Sequence, residues 1–288
     1  KSDLWKLKNW TKFSAENADH IVTISKFSKN DICEQYQLVK EKVTVAYPGY
    51  DKEKFKVHPS ATLGTRSSKF KVLEIRKKYK IGENYIIYIG TIQPRKNLQR
   101  LMEAFGNAIH LEGGGVLRNK AHLQGERERS GNELELVVVG KTRGEGRQGW
   151  MYEDILKTPR NLKIEERVKF LGFVPTEDLP FLLSGALAFI QPSLWEGFGI
   201  PAVEAMAIGT PVIVSNVSSL PEVVGKAGLL VDPYSVDQIE QAIRTIVTDR
   251  PLRQKYSKAG IIQAKNFSWD KMAKTALKVF ERVGNSRT

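Results

Sequence analysis

From residue 84 onward, the sequence alternates short runs that are apolar throughout with longer segments whose apolar residues recur at helical spacing. Strands with one face in water show polar alternation, so uninterrupted apolar runs predict strands that are covered on both faces. Helices between such strands specify a parallel sheet with a helical layer on each side. The sequence therefore predicts an α/β fold, a doubly wound, Rossmann-like parallel sheet, with strands at 85–89, 133–139, 168–171, 185–191, 210–215 and 228–231. Among the helices predicted along the chain are 26–36, with Ser25 as its cap, a helical tail at 72–79, and 98–109.

The loops that follow these strands carry the candidate binding residues. Right-handed crossovers put such loops at one edge of the sheet, where parallel sheets bind ligands. After the first strand, Gly90 lets the main chain approach a ligand, and the adjacent Arg95 and Lys96 suit a diphosphate. The alternative is that the two cations are simply solvated. Two further loops at this edge begin with glycine and are either ligand contacts or plain turns: Gly140-Lys141 and Gly172-Phe173-Val174.

Two carboxylates, Glu196 and Glu204, flank a Gly-Phe-Gly turn at 197–199 that opens a helix at Pro201. The free N–H groups of a helix start suit a phosphate, which carboxylates would repel. Both glutamates are therefore expected to face neutral hydroxyls, as on a ligand that combines sugar, diphosphate and nucleoside. The alternative is that Glu204 only favours the first helical turn electrostatically and that Glu196 is solvated.

Basic residues are concentrated in residues 1–80, which hold 18 Lys and Arg against 9 Asp and Glu and supply most of the net charge of +13. A solvated surface explains this bias best, and contact with a membrane surface is the next explanation. Nucleic acid is not expected, because no aromatic residues interleave with the basic ones in a nucleic-acid motif. Cys33 is the single cysteine and the four histidines are scattered, so no metal site is expected and a reducing, cytoplasmic setting fits best.

Taken together and in order, these motifs resemble the nucleotide-sugar domain of retaining glycosyltransferases of the GT-B fold, family 4. The likeness spans nearly all of residues 84–283, and segments 18–25 and 43–51 resemble the closing elements of that family's acceptor domain. The motifs that carry it are Gly90…Pro94-Arg95-Lys96-Asn97, Gly140-Lys141, 168–174, the pair Glu196 and Glu204, and Thr210-Pro211-Val212.

The resemblance implies transfer of a hexosyl group from a nucleotide sugar to an acceptor hydroxyl, with retained anomeric configuration and without a metal. Its implied catalytic residues are Arg95 and Lys96, on the donor diphosphate, and Glu196, on the donor-sugar hydroxyls. Glu204 would bind the ribose. The remaining implied donor-binding residues are Gly90, Thr91, Gly140, Lys141, Phe173 and Val174 beside the base, and the main chain of Phe198, Gly199 and Ile200.

The variant Thr91-Ile92-Gln93-Pro94-Arg95-Lys96-Asn97 resembles the mannosyl- and rhamnosyl-transferring members that build surface polysaccharides. GDP-mannose is therefore the expected donor, with a UDP- or dTDP-sugar as the alternative, and a glycan or lipid-linked acceptor is expected. Family members often carry arginine where this chain has Thr91, so diphosphate binding depends on Arg95 and Lys96. Contact with the inner face of the membrane is a further expectation.

The resemblance also predicts the domain organisation. Residues 1–51 would be the remnant of an N-terminal acceptor domain, 52–83 a linker, 84–266 the donor domain with a mobile insertion at 112–131, and 267–288 the C-terminal crossing helix. Because an intact member begins with a complete acceptor domain, we expect this chain to bind a nucleotide sugar without transferring it. The alternatives are a non-catalytic nucleotide-sugar-binding module and another GT-B enzyme, such as a sugar-nucleotide epimerase.

Overall fold

A computed structural model describes residues 2–55, 66–110, 133–141 and 152–285. The predicted insertion at 112–131 lies outside the described residues. The chain forms two compact units. The first combines residues 1–50, 197–200 and 267–288, and the second combines residues 51–196 and 201–266.

The first unit has a two-stranded parallel sheet, in which Ile21 lies opposite Val43. Its elements are α1 (Ser2–Asn17), β1 (Ile21–Thr23), α2 (Lys26–Gln35), β2 (Val43–Val45) and the C-terminal helix Trp269–Asn285. The predicted cap of α2 is confirmed, because Ser25 Oγ accepts a hydrogen bond from Ser28 N at 3.0 Å.

The second unit contains a six-stranded sheet in which every strand pair is parallel. Its strands are β3 (Asn84–Ile89), β4 (Leu134–Val139), β5 (Val168–Gly172), β6 (Ala188–Gln191), β7 (Val212–Ser215) and β8 (Leu229–Val231). The spatial order is β5-β4-β3-β6-β7-β8. The order reverses between β3 and β6, which is the switch point where open α/β sheets bind ligands. The predicted doubly wound α/β fold is confirmed.

Helices cover this sheet and bury the apolar strands that the sequence predicts. On β3, the side chains of Tyr85, Ile86, Ile87 and Tyr88 are all fully buried, so both faces of the strand lie in the core. The helices described after β2 are α3 (Arg66–Lys78), α4 (Leu98–Ile109), α5 (Tyr152–Asn161), α6 (Leu179–Gly185), α7 (Ile200–Ile208), α8 (Leu220–Val224), α9 (Val236–Thr248), α10 (Arg250–Ala264) and α11 (Trp269–Asn285).

Two helices differ from the sequence expectation. Helix α3 begins at Arg66, well before the helical tail expected at 72–79 within the linker, and it packs against α6 inside the second unit. Helix α10 was not predicted at all. Its start is nevertheless marked in the sequence, since Asp249 Oδ1 accepts a hydrogen bond from Leu252 N at 2.8 Å and Pro251 lies in the first turn.

Candidate active site

The loops after β3 and β6 meet at the carboxyl edge of the sheet, on either side of the switch point. Leu194 N donates a hydrogen bond to Arg95 O at 2.8 Å, which joins the two loops through their main chains. Ser215 Oγ, at the end of β7, donates to Ser193 O at 2.6 Å. The loop that carries Glu196 is therefore held from both sides by neighbouring strand ends.

Arg95, Lys96 and Glu196 form one network at this edge. Lys96 Nζ lies 2.5 Å from Glu196 Oε1, and Arg95 Nη1 lies 3.2 Å from Glu196 Oε2. Two further donors reach Oε1, Gln191 Nε2 at 2.7 Å and Ser193 Oγ at 2.8 Å. Glu196 is 6% exposed, so the alternative that its carboxylate is solvated is wrong.

The charge state of this network follows from its contacts. Burial alone would raise the pKa of Glu196, but the hydrogen bond and charge of Lys96, together with the hydroxyl of Ser193 and the amide of Gln191, outweigh it and lower that pKa. Burial lowers the pKa of Lys96, and the hydrogen bond and negative charge of Glu196, which raise that pKa, only partly offset the effect. The result is a fixed carboxylate that orients a buried ammonium and a half-exposed guanidinium.

Asn97 holds the Arg95-Lys96 turn in place, a role that the sequence prediction did not assign. Its backbone is left-handed, with φ 62°, a conformation that asparagine tolerates better than most residues. Asn97 Nδ2 donates to Pro192 O at 3.0 Å and to Pro233 O at 2.6 Å, which connects the loops after β3, β6 and β8. The Lys-Asn dipeptide ahead of an amphipathic helix was the available sequence signal.

Glu204 is the fifth of the nine residues of α7 and is half-buried. The alternative that it favours the first helical turn is wrong, because that turn holds no acidic residue. No hydrogen bond or ion pair joins its carboxylate to another residue in the described ranges. Burial, reinforced by the negative charge of Asp51, raises the pKa of Glu204 to about 7. This carboxylate keeps its acceptor capacity for a ligand hydroxyl, whereas that of Glu196 is largely used within the protein.

The glycines after β3 and β4 lie against each other. Gly90 N donates to Val139 O and Gly140 N donates to Gly172 O, both at 2.9 Å. A Cβ at Gly140 would collide with Gly90 O, so no larger residue fits there. Thr91 and Lys141, which follow these glycines, are exposed.

The remaining predicted site residues divide between the two units. Phe173 is 70% exposed beyond β5, whereas Val174 is buried. In the first unit, the ring of Phe198 is buried against Phe267 and Tyr47, at centroid distances of 5.3 and 6.0 Å. Gly199 has φ +112°, a conformation that requires glycine, and α7 begins at Ile200.

In the ranges that the structure describes, no group of three or more His, Cys, Asp or Glu side chains is placed to hold a metal ion. The network of Arg95, Lys96 and Glu196 concentrates charge at this edge of the sheet. Cations at a switch point suit a phosphorylated ligand.

Comparison with known proteins gives the family. The sequence-family model for glycosyl transferases group 1 matches residues 71–263, which include every strand of the large sheet. The chain belongs to this family. The matched range also contains the cation pair at Arg95 and Lys96 and both glutamates. The fold is that of GT-B glycosyltransferases.

Curated relatives include mannosyltransferases. The chain is 34% identical over 258 residues to O-antigen chain mannosyltransferase B of Escherichia coli, an alignment that covers 89% of this chain and 59% of that protein. The chain thus spans about three fifths of the length of this relative.

Solved structures show the same fold. Sucrose-phosphate synthase from Thermosynechococcus elongatus matches 96% of this chain and 61% of its own chain, with a TM-score of 0.73 at 22% identity. HepE of Anabaena, solved in complex with UDP-glucose, matches 94% of this chain and 65% of its own, with a TM-score of 0.71 at 20% identity. At these identities the likeness establishes the fold alone.

Proposed function

We propose that this chain supplies the donor-binding part of a retaining mannosyltransferase that uses GDP-mannose and extends a surface polysaccharide or glycolipid. The observation that carries the proposal is the network of Arg95, Lys96 and Glu196 at the switch point of the sheet. The family match and the mannosyltransferase relative support the reaction class and the sugar.

The proposed chemistry is the replacement of one bond at the anomeric carbon. The bond to the diphosphate oxygen breaks, the acceptor hydroxyl forms the new bond on the same face and passes its proton to the departing diphosphate, and the nucleoside diphosphate leaves. Arg95 and Lys96 would stabilise the charge that develops on the departing oxygen. Because Glu196 already engages both cations, we assign it first to orienting them and second, through Oε2, to a donor-sugar hydroxyl.

The other contacts in the proposal follow the strand ends. Glu204 would accept hydrogen bonds from the ribose hydroxyls, since its carboxylate has no hydrogen-bond partner among the described residues. Gly90, Thr91, Gly140 and Lys141 would line the donor on one side. Main-chain groups at 172–174 would contact the base.

The partners and location of the whole protein also belong to the proposal. We expect a nucleotide-sugar donor, a glycan or lipid-linked acceptor, and action in the cytoplasm at the inner face of the membrane. Among the helices of the described ranges, none combines the length and the apolar character that a membrane-spanning segment needs. The membrane contact that we propose is peripheral.

Calorimetry with GDP, UDP, ADP and GDP-mannose tests the donor assignment. We expect GDP and GDP-mannose to bind more tightly than the other nucleotides. Tighter binding of UDP would contradict the donor base, and absence of nucleotide binding would contradict the proposed function altogether.

A variant tests whether GDP is bound at a specific diphosphate site or only by the overall positive charge of the protein. Arg95→Gln removes a guanidinium that is partly exposed, so the fold should persist, and we expect affinity for GDP to fall about tenfold. The affinity for GMP, which lacks the second phosphate, should fall less. Lys258→Gln is the matched control, because Lys258 is an exposed cation on α10, and its GDP affinity should equal that of the parent.

A further inference from the structure

Helix α3 (Arg66–Lys78) presents large apolar side chains to solvent. Phe70 is 68% exposed and Leu73 is 43% exposed. On its opposite side, Ile75 is 2% exposed, where the helix packs against α6. The apolar residues of α3 thus lie on two sides, and only one side belongs to the core.

Basic residues surround the two exposed apolar side chains. At 100° per residue, Phe70, Leu73, Lys77 and Lys69 fall within one arc of about 100°. Lys69 and Lys77 are both exposed. We call these four residues the basic-aromatic face of α3.

The segment that contains α3 carries an excess of positive charge. Residues 66–80 contain seven Lys and Arg and one acidic residue, Glu74. Glu74 pairs with Lys71 at 3.1 Å, and Lys78 pairs with Asp178 at 2.6 Å. In the part of the chain that the structure describes, no acidic side chain pairs with Lys69, Lys77 or the exposed Lys80 that follows the helix.

We propose that the basic-aromatic face of α3 docks onto an anionic lipid surface. Amphipathic segments that bind membranes combine apolar side chains, which enter the headgroup boundary, with Lys and Arg, which contact anionic headgroups. A second copy of this face would bring like charges together and is disfavoured for that reason. The inference rests on the peripheral membrane contact in the proposed function and names the surface that makes it.

Vesicle co-sedimentation tests the inference with the 288-residue protein. We expect binding to vesicles that contain phosphatidylglycerol, little binding to pure phosphatidylcholine, and a decrease of binding as salt rises. The double variant Phe70→Ser with Lys77→Glu should lower the partition coefficient at least tenfold. Its far-ultraviolet circular dichroism and its GDP affinity should match those of the parent, because neither side chain belongs to the core or to the candidate active site.

A matched control excludes an effect of net charge or of apolar exposure in general. Ile262 is 68% exposed on α10, one turn after the exposed Lys258. Ile262→Ser with Lys258→Glu makes the same kind of change on another helix of the same unit and should leave vesicle binding within about twofold of the parent.

Two results would overturn the inference: no binding of the parent to anionic vesicles, or equal losses in the test and control variants. Either could occur with GDP binding intact, so failure of the membrane inference is distinguishable from failure of the proposed donor site.

Discussion

At the scale of single residues, Glu196 is the group on which the two active-site cations depend. Glu196→Gln keeps the size of the side chain but leaves the buried Lys96 ammonium without a counter-charge. Breaking a buried pair in this way costs about 3–5 kcal/mol. We expect the free energy of unfolding, measured with urea at neutral pH, to fall by that amount and GDP binding to be lost.

A second variant separates stability from binding at this position. Glu196→Gln combined with Lys96→Met removes both buried charges, so most of the lost stability should return while GDP affinity stays low. If the double variant regained GDP binding, Lys96 would not contact the diphosphate. Ser193→Ala, which removes one neutral donor from Glu196, should cost only about 1 kcal/mol.

The raised pKa of Glu204 predicts that the stability of the protein depends on pH. Its pKa rises from 4.5 to about 7 on folding, so the folded protein holds this proton more tightly than the unfolded chain. Protonation of Glu204 therefore contributes about 3 kcal/mol to the free energy of unfolding below pH 4.5, and this contribution is lost as pH rises through about 7. Glu204→Gln should be more stable than the parent at pH 8 and similar to it at pH 4.5.

The same variant tests whether Glu204 serves a ligand. An amide offers one acceptor where the carboxylate offers two, so Glu204→Gln should weaken nucleotide binding at pH 8 while it stabilises the protein. Loss of stability together with loss of binding would instead indicate a structural role. Asp51→Asn removes the neighbouring negative charge and should lower the pKa of Glu204, a shift that NMR titration can measure.

At the scale of elements, Asn97 connects three strand-to-helix loops. Asn97→Ala loses the hydrogen bonds to Pro192 O and Pro233 O and strains the left-handed backbone, which should destabilise the protein by about 2–4 kcal/mol in urea unfolding. Asn97→Gly loses the same bonds without the strain and should be about 1 kcal/mol more stable than Asn97→Ala. Equal stabilities would mean that the backbone conformation is not what selects asparagine.

The elements of the large sheet could be predicted because their sequence signals are local. Runs such as 85–89 are apolar on both faces, and helix α4 was predicted with its observed bounds. Helix α10 was missed because Gly260 interrupts its pattern. In the structure, a Cβ at Gly260 would lie 3.3 Å from Met206, so close packing of the helix against α7 explains the glycine.

The candidate site could be predicted as a set of loops but not as a set of contacts. Parallel topology alone brings the ends of β3 and β6 to one edge, and this placed Arg95, Lys96 and Glu196 near one another. The contacts of Glu196 with Arg95 and Lys96 depend on side-chain packing between loops that are about 100 residues apart, whereas Gln191 and Ser193 reach its Oε1 from within five residues. No local pattern in the sequence encodes that packing.

At the scale of the whole molecule, the chain builds its smaller unit from three separate segments. Gly49, at the end of one segment, lies against the backbone of Ser268 and Trp269 at the start of the last helix. A Cβ at Gly49 would collide with Trp269 N, and backbone cannot move aside as a flexible side chain can. The packing of these two segments in the first unit therefore requires glycine at position 49.

Gly49→Ala should loosen the first unit and leave the six-stranded sheet folded. Local opening is reported by amide hydrogen exchange, so exchange should accelerate in β1, β2 and α11 and stay slow in β3 and β4. Gly284→Ala is the matched control, because no atom outside the adjacent backbone of α11 lies within 4 Å of a Cβ at that position, and its exchange should match the parent. Uniform acceleration in both units after Gly49→Ala would show that they unfold as one cooperative body, and unchanged exchange would show that the contact with α11 does not hold the first unit together.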